Sequence, residues 1–561
     1  MSLLSGAEII VRLLERQDVA IVAGIPGGSN LPLYDALGRS RTVRHVLARH
    51  EQGAGFIAQG IARATGRVGV CLATSGPGAT NLLTAVADAK LDSVPLVCIT
   101  GQVARALLGT DAFQEVDTYG MSVPVTKHNF LVRSAQELLE VIPEAFRLAA
   151  SGRPGPVLVD VPKDVQAEHT DVERWPDPGD RDAPREIDPE SVARAAALIN
   201  AAARPVLYLG GGAASPAAAA RCRSLAERAD LPVTMTLMAL GALPMNHPLS
   251  LGMLGMHAAP YTNHVLEESD LLIVLGARLD DRATGAIARF CPRAKVVHVD
   301  IDASELGKLR RPEVEVVGDL VAVLALLLPK IDAATRSTWR GRVAQLRAQH
   351  PWRLPAADDP RSPYGAILAV ARLVGEDALI TADVGQHQMR VAQSFPFTKP
   401  RQWLTSGGLG TMGFGLPAAL GAALAFPSRN VICFSGDGSL LMNLQEMATV
   451  AEEGARVKVV LFDNQSLGLV GQQQDLFYSR RFACDYRCAT DFPAIARAFG
   501  WNASDLTDAG DPLAMLADVL AAPGPALVRV PIQANEHVFP MVAPGGANTD
   551  MILEVADASG E

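Results

Sequence analysis

Residues 429–469 constrain the chain more than any other stretch. An apolar run, 431–434, ends in Ser435-Gly436-Asp437-Gly438-Ser439. A helical pattern covers 440–453, and a second apolar run, 457–462, ends in Asp463-Asn464. Strand, loop, helix and strand in that order predict two parallel neighbouring strands. Asp437 and Asn464 then each fall at the carboxyl end of a strand, the edge of an open parallel sheet where ligands bind. The glycines admit backbone N–H groups close to an anion, and a helix N-terminus adds a favourable dipole. Asp437 and the Asn464 amide are hard oxygen ligands, and two of these with phosphate oxygens suit Mg2+. The stretch reads as a site for a metal-bound diphosphate. The plainer alternative is a tight turn capped by an aspartate.

The rest of the chain repeats the same grammar. Residues 19–23 lead into Gly24-Ile25-Pro26-Gly27-Gly28, 68–73 into Ser75-Gly76-Pro77-Gly78, and 95–100 into Gly101-Gln102. Further on, 206–209 lead into Gly210-Gly211-Gly212, 271–275 into Gly276-Ala277-Arg278, and 296–299 into Asp300-Ile301-Asp302. Strands that keep ending in such loops predict doubly wound parallel sheets, an α/β fold. Two polar, proline-containing connections, 166–191 and 331–362, divide the chain. The expected domains are 1–165, 192–330 and 363–540, with a Gly- and Pro-rich tail, 541–561, that is expected to be mobile.

Residues 53–78 align without gaps on 413–438. Seven of 26 positions are identical: Gly53/Gly413, Gly55/Gly415, Ala58/Ala418, Ala62/Ala422, Ser75/Ser435, Gly76/Gly436 and Gly78/Gly438. Each copy is a Gly/Ala-rich helix, a strand and SGxG, so the first and third domains read as a duplication. Pro77 replaces Asp437 in the first copy, which therefore lacks the metal ligand. It carries Glu51 just before its helix instead. Related domains with different polar equipment suggest one site built between them.

The net charge of −10, from 50 basic and 60 acidic residues, disfavours nucleic acid or an acidic membrane surface as the main partner. Seven scattered cysteines suit buried thiols in a reducing cytoplasm. The N-terminal segment is an amphipathic helix carrying Glu8 and Arg12 rather than a signal peptide. No apolar run approaches the roughly 18 residues of a membrane span.

The Asp437…Asn464 pair resembles the signature of thiamine-diphosphate enzymes, and further runs extend the resemblance over almost the whole chain: GIPGGSNLPLYDAL, ARHEQGAGFIAQG, SGPGATN, TDAFQEVD, TKHNFLV, LGMLGMH, GARLDDR, HVDID, DVGQHQM, SGGLGTMGFGLPAA and GDGSLLMNLQEMAT. These are similar to the catalytic subunits of the acetohydroxyacid (acetolactate) synthase family, most of all to the bacterial isozyme I type. That resemblance implies decarboxylation of pyruvate and ligation of the two-carbon unit to pyruvate or 2-ketobutyrate, in branched-chain amino-acid synthesis. It also implies roles. Asp437, Asn464 and the Ser466 carbonyl hold Mg2+. Gln386, His387, Asp437, Gly438 and Ser439 hold the diphosphate. Gly410, Thr411 and Met412 line the thiamine. Glu51 hydrogen-bonds the aminopyrimidine ring, a proton-sharing role favoured where water is excluded; read alone, it is a helix-start glutamate meeting the dipole. Gly28 and Gln114 reach the reacting carbons from a partner subunit, and Lys127 lies on the substrate access channel. Arg282 clamps the acceptor carboxylate, since a guanidinium fork matches a carboxylate; its plain alternative is a salt bridge to Asp280 or Asp281.

The middle domain resembles the family's FAD-binding domain. The matching positions are Gly210, Gly211, Gly212, Thr236, Leu237, Leu254, Gly255, Met256, His257, Gly276, Ala277, Arg278, Leu279, Asp280, Asp300, Ile301 and Asp319, with Ser93 and Arg153 from the first domain. The reaction has no net redox change, so the flavin is expected to be structural. Gln473 stands where many relatives carry Trp, which predicts a weak preference for 2-ketobutyrate. Asp463 replaces the usual first Asn and is expected to tighten the metal site if charged. The expected assembly is at least a homodimer with shared sites, joined by a small regulatory subunit. The tail from Met541 and Val542 is expected to order over the site with cofactor. Competing readings are a flavin-free catabolic acetolactate synthase or another thiamine-diphosphate decarboxylase or oxidase.

Overall fold

The structure is a computed structural model and describes residues 2–478 and 480–554. The expected tail residues 555–561 lie outside the described residues. Three six-stranded sheets carry the chain. All pairings within them are parallel. Their inner strands are buried along nearly their whole length, as parallel strands covered on both faces must be, while edge strands such as Arg44–Leu47 and Asn502–Asp505 are mostly part-exposed.

In the first sheet the strands run Arg44–Leu47, Ile21–Gly24, Gly69–Ala73, Leu96–Gln102, Pro156–Pro162 and His128–Leu131. In the third they run Trp403–Thr405, Leu379–Ala382, Val431–Gly436, Val457–Asp463, Ala526–Pro531 and Asn502–Asp505. Counted along each domain, both sheets have the order 2-1-3-4-6-5, which agrees with a duplication. The middle sheet runs Ser250–Met253, Val233–Met235, Pro205–Leu209, Leu271–Leu275, Lys295–Asp300 and Val314–Val317, the order 3-2-1-4-5-6 of dinucleotide-binding folds.

The duplicated helices Glu51–Thr65 and Gly415–Ala425 pack against each other and join the first domain to the last. Glycines set their separation. A Cβ on Gly60 would stand 2.2 Å from the Ala418 carbonyl oxygen, and one on Gly421 2.0 Å from that of Ile57. Phe56 and Phe414 meet edge-to-face at 5.3 Å beside this crossing.

Three expectations are corrected. The pattern over 440–453 is not one helix: a turn, Asp437–Leu440, and a helix, Glu446–Glu452, flank a break. At the break the Asn443 side chain donates to the Gly413 carbonyl (2.8 Å), so its amide serves the neighbouring loop. The connection 331–362 contains the helix Ser337–Gln349, docked on the middle domain by buried Trp339, whose indole donates to the Pro205 carbonyl (3.1 Å). Its apolar stripe, Trp339, Val343 and Leu346, is too thin among charges to stand out in sequence. The first part of the tail is also folded: Met541–Val542 pairs with Met551–Ile552, and Ala547 bridges to Gly285. Met541 and Val542 are buried, and the Pro540 carbonyl bonds the His257 ring (2.8 Å), so the protein's own contacts hold them.

Candidate active site

Asp437 follows the third strand of the last sheet, and Asp383, Gln386 and His387 follow its first. These strands are neighbours (Ala382 beside Phe434), and the chain departs from them in opposite directions. That is the switch point where an open sheet leaves a crevice. Gly436 pairs with Phe462, so Asp437 and Asp463 stand opposite each other at the strand ends. The Gly438 N–H donates to Asp437 Oδ1 (2.8 Å), while Oδ2 is buried without a partner. Burial, then the nearby Asp463 carboxylate, pushes the Asp437 carboxyl up to about 7. His387 is wedged against Gly385 and Gly436, either of whose Cβ atoms would lie 2.8 Å from its ring. Its Nε2 is buried and unpartnered, and burial holds the ring neutral, its pKa lowered to about 3. Gln386 spends Nε2 on Gln472 Oε1 (3.0 Å) and leaves its own Oε1 without a partner. Ser439 Oγ donates to the Val384 carbonyl (2.7 Å), and Asn464 Oδ1 accepts from the Ser466 N–H (3.1 Å).

These orphaned buried atoms fit a ligand that brings both charge and oxygen. Among the described residues no cluster of three His, Cys, Asp or Glu could hold a metal by itself. A cation at Asp437 would therefore need oxygens from elsewhere, as a Mg2+-diphosphate supplies. Asp463 does not present a free charge: its Oδ2 accepts from Arg529 Nε (2.6 Å) and its Oδ1 from the Gln465 N–H (3.2 Å).

Asp383, which opens the run DVGQHQM but carries no role legible in the sequence, organises this edge. It is fully buried, accepts from the N–H groups of Gly413 (2.8 Å) and Gly415 (3.2 Å), and thereby holds the loop that carries Thr411 and Met412. Burial pushes its carboxyl up to about 6. A lone aspartate after a short strand gives no sequence signal for such a role.

A cavity of about 1660 Å3 opens between the domains. Of the flavin candidates, all but Gly255 and Leu279 line it, and Arg282, Gly410, Gln473 and Met541 share its wall. Gly210 and Gly212 approach Gly276 so closely that a Cβ on Gly210 would lie 2.2 Å from the Gly276 carbonyl oxygen. These loops end the first and fourth strands of the middle sheet, at its own switch point. Arg153 donates to Ser93 Oγ (2.8 Å) and pairs with Glu305 (2.6 Å), tying the first domain to the cavity. Asp319 pairs with Arg181 (2.8 Å), and burial pushes Asp300 up to about 6. Gly255 bonds Asn263 (3.3 Å) and Leu279 is buried in the core, so both shape the wall from behind.

Arg282 is largely exposed and stands 3.8 Å from exposed Asp281, a loose contact worth little. Asp280 instead caps the turn Asp281–Thr284. The guanidinium is thus available at the cavity. Lys127 is not brought there: its Nζ donates to the carbonyls of Leu148 and Ser151, at the end of the helix Leu138–Ala150. Gly28, Glu51 and Gln114 gather at the carboxyl edge of the first sheet. Gly28 has open space around it, and Glu51 is half-buried and accepts from Asn81 (3.0 Å). Gln114, at φ +59°, packs on Gly76. None of the three lines the cavity or hydrogen-bonds the Asp437 group.

Sequence profiles of thiamine pyrophosphate enzymes match in three places: the N-terminal TPP-binding domain over residues 4–121, the central domain over 192–327 and the C-terminal TPP-binding domain over 383–530. The chain is 59% identical to the acetolactate synthase isozyme 1 large subunit of Escherichia coli over 98% of each chain. It is 46% identical to the isozyme 2 large subunit of the same organism over 99% of this chain and 100% of that one. To the chloroplastic acetolactate synthase 1 of Nicotiana tabacum it is 44% identical over 98% of this chain and 86% of that one. With the sheet orders and the site already described, this chain belongs to the acetolactate synthase large-subunit family of thiamine pyrophosphate enzymes.

Proposed function

We propose that the chain decarboxylates pyruvate and joins the remaining two-carbon unit to a second 2-ketoacid, giving 2-acetolactate from pyruvate or 2-aceto-2-hydroxybutyrate from 2-ketobutyrate, the first common step of branched-chain amino-acid synthesis. The observation that carries this reading is the group of buried, unpartnered polar atoms, Asp437 Oδ2, Gln386 Oε1 and His387 Nε2, at the switch point of the last sheet. Thiamine diphosphate, when bound, supplies the carbon nucleophile that such chemistry needs. Asp437, Asn464 and the Ser466 carbonyl would hold its Mg2+, and Gln386, His387, Gly438 and Ser439 its diphosphate. Gly410, Thr411 and Met412 would seat the thiamine, and Met412 Cε already stands 3.5 Å from where a Gly438 Cβ would be.

The cavity supports a structural FAD. Its volume exceeds the roughly 300–1,000 Å3 of an ordinary ligand site, leaving space for a dinucleotide and a substrate path. Arg282 and Gln473 on that path would receive the acceptor, the guanidinium pairing with its carboxylate. Gly28, Glu51 and Gln114 neither line the cavity nor hydrogen-bond the Asp437 group of their own chain. That supports a homodimer in which one subunit's Glu51 orients the cofactor held by the other and passes a proton to and from its ring. A small regulatory subunit is part of the proposed assembly. No helix among the described residues is long and apolar enough to cross a membrane, and a cytoplasmic site is proposed.

A colorimetric acetolactate assay with pyruvate, thiamine diphosphate, Mg2+ and FAD tests the reading. Acetolactate formed only with the diphosphate and metal present supports it. Acetaldehyde or peroxide instead would move the chain to the decarboxylases or oxidases. Full activity without flavin would favour the catabolic, flavin-free type.

A further inference from the structure

Two buried carboxylates that no cofactor role claims reach from the first domain into the last. Asp88 and Asp92 lie one turn apart at the end of the helix Pro77–Leu91, and their side chains are wholly buried. One guanidinium, Arg63, pairs with both, at 3.0 and 2.9 Å. Their remaining capacity points across the domain boundary to one loop. Asp88 Oδ1 accepts from Ser406 Oγ and Thr411 Oγ1 (3.2 Å). Asp92 accepts from the N–H groups of Gly407 (3.0 Å) and Gly408 (2.7 Å). Arg63 also donates to the Thr405 carbonyl (3.0 Å), and Ser406 Oγ accepts from the Thr411 N–H (2.8 Å).

An ordinary docking ion pair sets opposite charges on the two domains. Here both signs belong to the first domain, and the last domain contributes only hydrogen-bonding groups of its loop. The cluster therefore holds the shape of that loop. A matching contact runs the other way: Glu446 of the last domain accepts from the N–H groups of Arg49 and His50 (both 3.0 Å), the residues before Glu51. Each duplicated domain thus lends a carboxylate to the loop that leads into the other's glycine helix.

We propose that Asp88 and Asp92 are positioning residues for the cofactor, acting through the loop Thr405–Thr411 to set Gly410, Thr411 and Met412. This rests on the reading of those three residues as the thiamine seat. Asp88→Asn leaves Arg63 paired with Asp92 alone, one charge of each sign, so the variant strands no unpaired buried charge. Asp92→Asn does the same through Asp88.

Hydrogen–deuterium exchange in the holoenzyme, and thiamine diphosphate affinity measured by tryptophan fluorescence with Mg2+, test the proposal together. In both variants the amides of Gly407, Gly408 and Thr411 are expected to exchange faster, while those of the strand Trp403–Thr405 do not. Cofactor affinity is expected to fall roughly tenfold to a hundredfold, the loss of one or two hydrogen bonds to a charged group. Turnover at saturating cofactor is retained, a split that a general loss of stability does not produce. Unchanged exchange in the loop overturns the proposal. Faster exchange with unchanged cofactor affinity also overturns it, and locates the error in the thiamine seat rather than in the clamp. If either aspartate variant fails to fold, Ser406→Ala removes only a hydroxyl from Asp88 and is expected to shift both readouts in the same direction by less.

Discussion

Replacing Gly60 with alanine sets two opposite effects against each other. Alanine in a helix gains about 0.5–1 kcal/mol over glycine through backbone entropy and propensity. At Gly60 the new methyl would lie 2.2 Å from the Ala418 carbonyl oxygen and 2.9 Å from its Cα, both backbone atoms of the facing helix. Ordinary contact needs about 3.5 Å, so the helices Glu51–Thr65 and Gly415–Ala425 must part by about 1 Å, and a gap of that size forfeits a quarter to a half of each dispersion contact along the seam. Overpacking of this kind costs about 1–3 kcal/mol, and relief through a flexible side chain is not open to it. With backbone on both sides of the contact the clash outweighs the helical gain, by up to about 2.5 kcal/mol. Gly341 supplies the control: it lies in the helix Ser337–Gln349 with nothing within 4 Å of a Cβ. Gly60→Ala is expected to lower the melting temperature and acetolactate production, because the seam joins Glu51's domain to the thiamine loop. Gly341→Ala is expected to raise the melting temperature and leave activity unchanged. A Gly60→Ala variant at least as stable as wild type would refute the reasoning.

Three further outcomes are expected. Glu51→Gln should cut acetolactate formation by roughly 10²–10⁴, as lost general acid–base work does, with cofactor binding kept; a smaller effect in steady-state kinetics would remove Glu51 from the chemistry. Gln473→Trp should restore an apolar contact and shift competition toward 2-ketobutyrate by about 1–3 kcal/mol, read as the product ratio with both ketoacids present; an unchanged ratio would place the acceptor elsewhere. His257 is buried neutral, its pKa lowered to about 4 mainly by desolvation. Its folded value lies below the unfolded one, so it favours folding above about pH 6.5, and that contribution is lost as pH falls toward about 4, at up to about 1.4 kcal/mol per unit. His257→Asn should therefore flatten the acid limb of melting temperature against pH, and an unaltered limb would show that the ring does not titrate with unfolding.

Much of the architecture was legible in local pattern. Apolar runs ending in glycine loops placed the sheet edges, and the spacing of Asp437 and Asn464 placed both at the ends of neighbouring parallel strands, because one strand–helix–strand passage fixes where the chain returns. The repeat over 53–78 and 413–438 anticipated the shared strand order of the first and third sheets. The helix Ser337–Gln349 was hidden because three large apolar residues spread among arginines and glutamines make a weak periodic signal.

Turn chemistry and periodicity act over a few residues, and so local pattern revealed the central strands that end in glycine or aspartate loops and the residue types at those sheet edges, while shorter strands such as Trp403–Thr405 and Arg44–Leu47 escaped it. It did not determine what those residues touch. Asp463 is paired with Arg529, Lys127 is spent on helix carbonyls, and Asp88 and Asp92 hold a loop more than 300 positions away. Such pairings depend on how whole domains dock. Docking is decided by the shapes of buried faces, such as the glycine seam at Gly60 and Gly421, and by where a buried charge can find a partner.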